Sequence, residues 1–119
     1  MASARAARSP SPISARSMEE TRLIIIRHGE TEWNREKRMQ GTTDTQLSDI
    51  GRAQAKALGL RLAKHGFDAL YSSDLSRARD TARAIADQSG HPVVVDARLQ
   101  ERRFGVFEGL TAAEIIARY

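Results

Sequence analysis

From residue 22 onward, hydrophobic and polar positions fall into short apolar runs separated by longer amphipathic stretches. Leu23–Ile26 is a continuous aliphatic run, β-branched after its first residue, and predicts a short strand buried on both faces, as in a parallel sheet. A polar stretch follows to Leu47. Ser48 then has the character of a helix N-cap, and Asp49 suits the positive end of a helix dipole. The helix they open is predicted to run to about His65, with Ile50, Ala53, Ala57 and Leu60 on its apolar stripe and Gly66 as a left-handed stop.

The same alternation continues to the end of the chain. "FDALYS" predicts a second strand, and "LSRARDTARAIADQSG" a second helix with Leu75, Ala78, Ala82 and Ile85 turned inward and Gly90 ending it. "PVVVD" predicts a third strand. "LTAAEIIARY" opens a last helix with a capping-box pairing of Thr111 and Glu114. Strands alternating with helices predict an α/β fold with a mainly parallel sheet and right-handed crossovers. No internal repeat is visible.

Residues 1–17, "MASARAARSPSPISARS", stand apart from this pattern. A segment so poor in large apolar groups cannot offset its ordering entropy and is predicted to be disordered. Its Arg and Ser content without acids also fits an organellar transit peptide, and Met18 offers an alternative start. Disorder or the later start is the preferred reading, which leaves residues 18–119 as the domain and the cytoplasm as its expected location.

Composition narrows the function classes. The 119 residues are 40% hydrophobic and 29% charged, a globular composition with room for one core. Three of the 19 basic residues lie in residues 1–17, and the other 16 against 15 acids leave +1 for residues 18–119. A nearly neutral surface of mixed sign predicts no nucleic-acid partner. Leu23–Ile26 is the longest apolar run, far short of a membrane span. There is no cysteine, no His-x-x-His pair and no dense carboxylate cluster, so neither a metal site nor a cofactor is expected.

The chemistry-bearing residues converge on one sheet edge. Ligands of parallel α/β sheets bind at the carboxyl ends of the strands. Arg27 and His28 end the first predicted strand, and Gly29 would let a ligand approach closely. Arg77 opens the second helix, where free backbone N–H groups favour an anion. Glu101 follows the third strand after a short loop. Each has a plainer reading: His28 as a structural histidine, Arg77 as a solvated helix residue, Glu101 paired with Arg102 or Arg103, Asn34 as a turn residue. His65 and His91 read as a helix-end cation and a turn residue. Taken together, two arginines, a histidine and a carboxylate form an anion site holding a nucleophile and an acid.

"RHGETEWN" resembles the signature of the histidine phosphatase superfamily, also called the phosphoglycerate mutase-like family. "QGTTDTQLSDIGRAQA", "SSDLSRARDTA" and "LQERRFGVFEGL" resemble three further segments of that family, in its order and spacing, although Thr45-Gln46 stand where many members carry proline. The resemblance covers residues 22–119. It implies a three-layer α/β/α phosphoglycerate mutase-like fold, and His28 as the nucleophile that becomes phosphohistidine. Arg27, Asn34 and Arg77 would hold the phosphoryl oxygens, Gln40 and Gly41 would line the pocket, and Glu101 would protonate the leaving oxygen. The implied partner is a small phosphorylated metabolite, and the family leaves room for a homodimer of the full-length protein.

Physical chemistry agrees with these roles. A neutral imidazole is a competent nucleophile, neighbouring arginines disfavour its protonation, and guanidinium groups can stabilise a transferring phosphoryl group without a metal. Phosphomonoester hydrolysis is the leading expectation, with phosphoglycerate mutase as the alternative and a non-catalytic phospho-ligand module as a reading of another class. Glu30-Thr31 and Gln40 incline it toward phosphatase.

The resemblance also implies a second catalytic histidine in a later strand-ending segment that lies between the first two strands of the sheet. Tyr119 comes before any such segment, and "KHGF" at His65-Gly66, at a helix end, is no substitute. The sequence is thus expected to represent the N-terminal portion of the domain. On this reading it would be poorly stable and weakly active alone, with unpaired backbone between those two strands.

Overall fold

A computed structural model of the chain describes the backbone of Ala2–Ala6 and residues 20–119. Strand β1 (Ala2–Ala6) precedes β2 (Arg22–Ile26) and the short helix α1 (Glu32–Glu36). Helix α2 (Asp49–Leu62), β3 (Phe67–Ser72), α3 (Ser76–Ser89) and β4 (Val93–Val95) follow, and α4 (Ala112–Arg118) closes the chain. The described strands form one sheet in the order β2-β1-β3-β4. β3 and β4 are parallel, and β1 runs antiparallel to both β2 and β3. β2 and β3 therefore point the same way, and the loops that follow them leave from one edge.

β1 corrects two expectations. Ala2–Ala6 form a strand rather than a disordered segment, and the remainder of residues 1–17 lies outside the described residues. That strand also occupies the position between β2 and β3 where unpaired backbone was expected, with Ala2 opposite Ile26 on one side and Ser72 on the other. Pairing through the main chain asks little of side-chain type. Two strands with facing N–H and C=O groups can therefore recruit even an Ala/Ser/Arg segment.

The core lies on one face of the sheet. Ile26, Leu62, Phe67, Leu70, Ala82 and Ile85 are buried together, with Ile24, Leu58, Ala86 and Val93 packed against them. The aliphatic run of β2 is not buried on both faces. Ile26 is 6% exposed, whereas Leu23 and Ile25 are 71% and 70% exposed. A run without polar punctuation cannot show which face is covered; among the described elements α2 and α3 cover the Ile24/Ile26 face.

Helix α2 also turns a different face inward from the one expected. Gly51, Ala55, Gly59 and Leu62 are buried, while Ile50 and Leu60 are about half exposed. Contact distance is the reason. A Cβ on Gly59 would come within 2.6 Å of the Ala84 carbonyl oxygen on α3, so the two helices meet backbone to backbone. Helix α3 follows its predicted stripe, with Ala78, Ala82 and Ile85 buried and Gly90 ending it at φ 77°. Helix α4 carries the expected capping box from Thr111 to Glu114. The stretch after β2, whose polarity predicts a loop, contains a second such box at Thr31 and Asn34. No described helix is long and apolar enough to cross a membrane.

Candidate active site

The strand ends and following loops enclose an open cleft of about 450 Å³, lined by Arg27, His28, Gln40, Gly41, Arg77 and Glu101 together with Ile25, Arg38, Met39 and Phe104. Six of the seven residues singled out from the sequence therefore meet in one place. Asn34 is not among the lining residues. Its Oδ1 accepts from the Thr31 N–H at 3.0 Å, so the carboxamide oxygen caps α1. Among the described residues, no three His, Cys, Asp or Glu side chains gather as metal ligands.

His28 is half-buried, and its Nδ1 lies 2.6 Å from the Gly29 carbonyl oxygen. A carbonyl can only accept, so the proton sits on Nδ1 and Nε2 keeps its lone pair. Burial is the main influence holding the imidazole below its ordinary pKa; the Gly29 contact opposes it, and the charges of Arg77 and Arg27 add to the lowering. The arginines thus reinforce the neutral ring rather than cause it.

The backbone around His28 is fixed from two sides. A Cβ on Gly29 would collide with the Gly51 carbonyl oxygen, and one on Gly51 with the Glu30 carbonyl oxygen. Gly29 thus serves close packing of the β2 loop on the start of α2, not the ligand approach expected of it. On the other side, the Gly29 N–H donates to Thr81 Oγ1 at 3.0 Å, and that hydroxyl donates to the Arg77 carbonyl at 2.7 Å. Thr81 lies one turn beyond Arg77 on α3. It holds the His28 loop in register with Arg77.

Arg77 is 1% exposed, which rules out the solvated reading. Its Nη1 and Nη2 donate to the Thr43 and Gly41 carbonyls, each at 2.6 Å, and Nη1 also reaches Thr45 Oγ1 at 3.3 Å. Nε is buried with no hydrogen-bond partner. Burial lowers the Arg77 pKa against the opposing charges of Glu101, Asp44 and Glu108, but a guanidinium stays charged at neutral pH. The result is a fixed cation held mainly by neutral carbonyls, with the Nε–H and one Nη2–H left over. The N-terminus of α3 is not the open anion site expected from its amides. Asp44 accepts from the Ser76 N–H at 2.7 Å and from Ser76 Oγ at 2.9 Å.

Gln40 is oriented by two hydroxyls. Thr31 Oγ1 and Thr45 Oγ1 both contact its Oε1, at 2.6 and 2.5 Å, which commits that oxygen as acceptor and leaves the amide N–H₂ for other partners. Glu101 is exposed. Its carboxylate accepts from the Arg102 backbone N–H at 2.8 Å, and no ion pair to Arg102 or Arg103 is present among the described residues. A second carboxylate, Glu108, escaped sequence reasoning. It accepts from the Thr43 N–H at 2.8 Å, from Thr43 Oγ1, and from the Phe104 and Gly105 N–H groups, each at 3.1 Å. Those donors, Thr43 first, hold its pKa below the ordinary carboxylate value. A carboxylate so engaged is an acceptor and not a proton donor, and among the described residues Glu101 is the carboxylate that lines the cleft.

Residues 23–119 match the sequence profile of the histidine phosphatase superfamily (branch 1). The chain belongs to this family. It is 50% identical over 100 residues to a glucosyl-3-phosphoglycerate phosphatase of Mycolicibacterium vanbaalenii, covering 84% of this chain and 44% of that protein. It is 43% identical over 100 residues to a 2,3-bisphosphoglycerate-dependent phosphoglycerate mutase of Gloeobacter violaceus, covering 82% of this chain and 46% of the relative. Among solved structures, mycobacterial glucosyl-3-phosphoglycerate phosphatase in complex with VO3 superposes with a TM-score of 0.72 at 46% identity, over 76% of this chain and 44% of that one. The fold is thus that of the phosphoglycerate mutase-like histidine phosphatases. The chain spans less than half the length of these relatives.

Proposed function

We propose that this cleft takes part in hydrolysis of phosphomonoesters of small metabolites through a phosphohistidine on His28. The observation that carries the reading is the contact of His28 Nδ1 with the Gly29 carbonyl, which assigns the proton to Nδ1 and the lone pair to Nε2, in a cleft shared with Arg27 and the buried Arg77. Nε2 attacks phosphorus, and the N–P bond forms as the ester P–O bond breaks. Glu101, in its acid form, gives its proton to the departing oxygen. Water then displaces the phosphoryl group from Nε2, releasing inorganic phosphate, while its proton returns to Glu101. Arg27, Arg77 and the Gln40 amide supply the donors that the phosphoryl oxygens need, with guanidinium charge in the place a metal ion would take. Gly41 contributes through its carbonyl, which anchors Arg77.

The relatives' names make 3-phosphoglycerate and glucosyl-3-phosphoglycerate the first substrates to try. An activity on such soluble metabolites suits the cytoplasm. The similarity to a mutase supports a second reading, return of the phosphoryl group to another hydroxyl of the substrate. Incubating the chain with a chromogenic phosphomonoester and quenching in base tests the proposal. Acid-labile phosphate on His28, lost in His28→Ala and accompanied by free phosphate, is the expected result. With 3-phosphoglycerate as the substrate instead, isomerised product in place of free phosphate would favour the mutase. Phosphate binding with neither label nor release would make the cleft a binding module.

A further inference from the structure

We propose that Glu108 is a positioning residue for this site: one carboxylate that ties the loop carrying Glu101 to the loop that holds Arg77. The inference rests on the reading of the cleft as a phosphoryl site. Thr43 and Gly41, whose carbonyls hold both terminal nitrogens of Arg77, lie in a loop after α1. Phe104 and Gly105 belong to the segment that continues from Glu101. Glu108 accepts hydrogen bonds from both sides, from the Thr43 N–H and hydroxyl and from the Phe104 and Gly105 amides.

The surrounding structure brings these loops together at Glu108. Met39 donates to the Leu110 carbonyl at 3.0 Å and its own carbonyl accepts from Gly109 at 2.8 Å, so the two segments pair as a short ladder just beside the carboxylate. Gly41 has φ +57°, and any Cβ there would run into the Glu108 carboxylate and the Phe104 ring. The carboxylate thus fills space that only a glycine leaves open. A negative group beside a site meant for an anion is otherwise unfavourable. Four donors compensate it, and its field supports the charge of buried Arg77.

The chemistry demands an acceptor with no protons. A glutamine at 108 has the same shape but turns an N–H₂ toward at least one of the two loops, donor against donor. Glu108→Gln is therefore expected to free the 41–45 loop and loosen Arg77, although Glu108 is not among the residues lining the cleft.

The test reads Arg77 directly. In ¹⁵N-edited spectra of the 119-residue chain without ligand, the Arg77 terminal N–H₂ groups are expected as separate, slowly rotating signals, held by two carbonyls. In Glu108→Gln those signals should average while the α3 backbone amides keep their positions. Thr43→Val, which removes one of the four donors, should shift them the same way by less, and it serves if Glu108→Gln does not fold. Unchanged Arg77 signals in both variants would overturn the proposal. Titration with inorganic phosphate separates this from the reading of the cleft. Loss of binding in Arg77→Met is expected, with Glu108→Gln about tenfold weaker than the unmodified chain. If Arg77→Met binds phosphate as well as the unmodified chain, the reading of the cleft fails. If only Glu108→Gln is unaffected, the positioning role fails and the cleft reading stands.

Discussion

The proposed nucleophilic role of His28 depends on what its other ring nitrogen does. With Nδ1–H engaged by the Gly29 carbonyl, the free lone pair is on Nε2, and burial lowers the pKa of the ring and so favours its uncharged form. The sign of that shift has two consequences. Folded His28 gives up its proton below the ordinary value of 6.5, so phosphohistidine formation should keep its rate into mildly acid solution, with its acid limb below that value. A limb at or above it in the pH–rate profile would contradict the assignment. The unfolded chain, in turn, takes up the proton first as pH falls, so the fold loses stability from the ordinary value down to the folded one. Thermal melts of His28→Ala should lack that component. At this scale the sequence already displayed Arg27, His28, Arg77 and Glu101. It did not display Thr81, Thr43 or Glu108, because a hydroxyl on a helix and a glutamate in a polar loop look like surface residues until their partners are placed.

At the scale of elements, close approach matters more than hydrophobicity. Helix α2 buries Gly51, Ala55 and Gly59, a file of small residues four apart, and leaves Ile50 and Leu60 half exposed. The file was visible in the sequence, but an apolar stripe was the stronger-looking signal. It pointed to the wrong face because α3 lies too near for larger side chains. Gly59→Ala is expected to lower stability by about 1–3 kcal/mol, since the new methyl meets the backbone of α3 rather than a side chain that can swing away. Chemical denaturation measures it, and a change near zero would mean the helices separate easily. The helices whose signals are local, the Gly90 stop and the Thr111 box, were legible in advance because a cap depends on residues within one turn.

For the whole molecule, the sheet decides most. β1 links β2 to the rest, and removing residues 1–6 takes away the partner of both β2 and β3. Such a deletion is expected to lower the melting midpoint by several degrees and to broaden the transition. A melt identical to that of the unmodified chain would show that β1 contributes nothing to the fold in solution. On the side away from α2 and α3, Leu23, Ile25, Tyr71 and Val94 expose apolar surface, with Leu23 and Ile25 on an edge strand. Apolar patches and open edges promote association. Leu23→Lys should therefore reduce light scattering at high concentration without lowering the midpoint, and equal scattering would show that this face is not what aggregates.

Taken by itself, the sequence determined the alternation of strands and helices and the sheet edge at which Arg27, His28, Arg77 and Glu101 meet. Both follow from local periodicity, capping and the direction of parallel strands. Only the tertiary structure decided which face of β2 and α2 is covered, that Ala2–Ala6 pair between β2 and β3, and that Glu108 binds two loops together. Each of these depends on groups far apart in the chain arriving at contact distance, and no stretch of sequence records that distance.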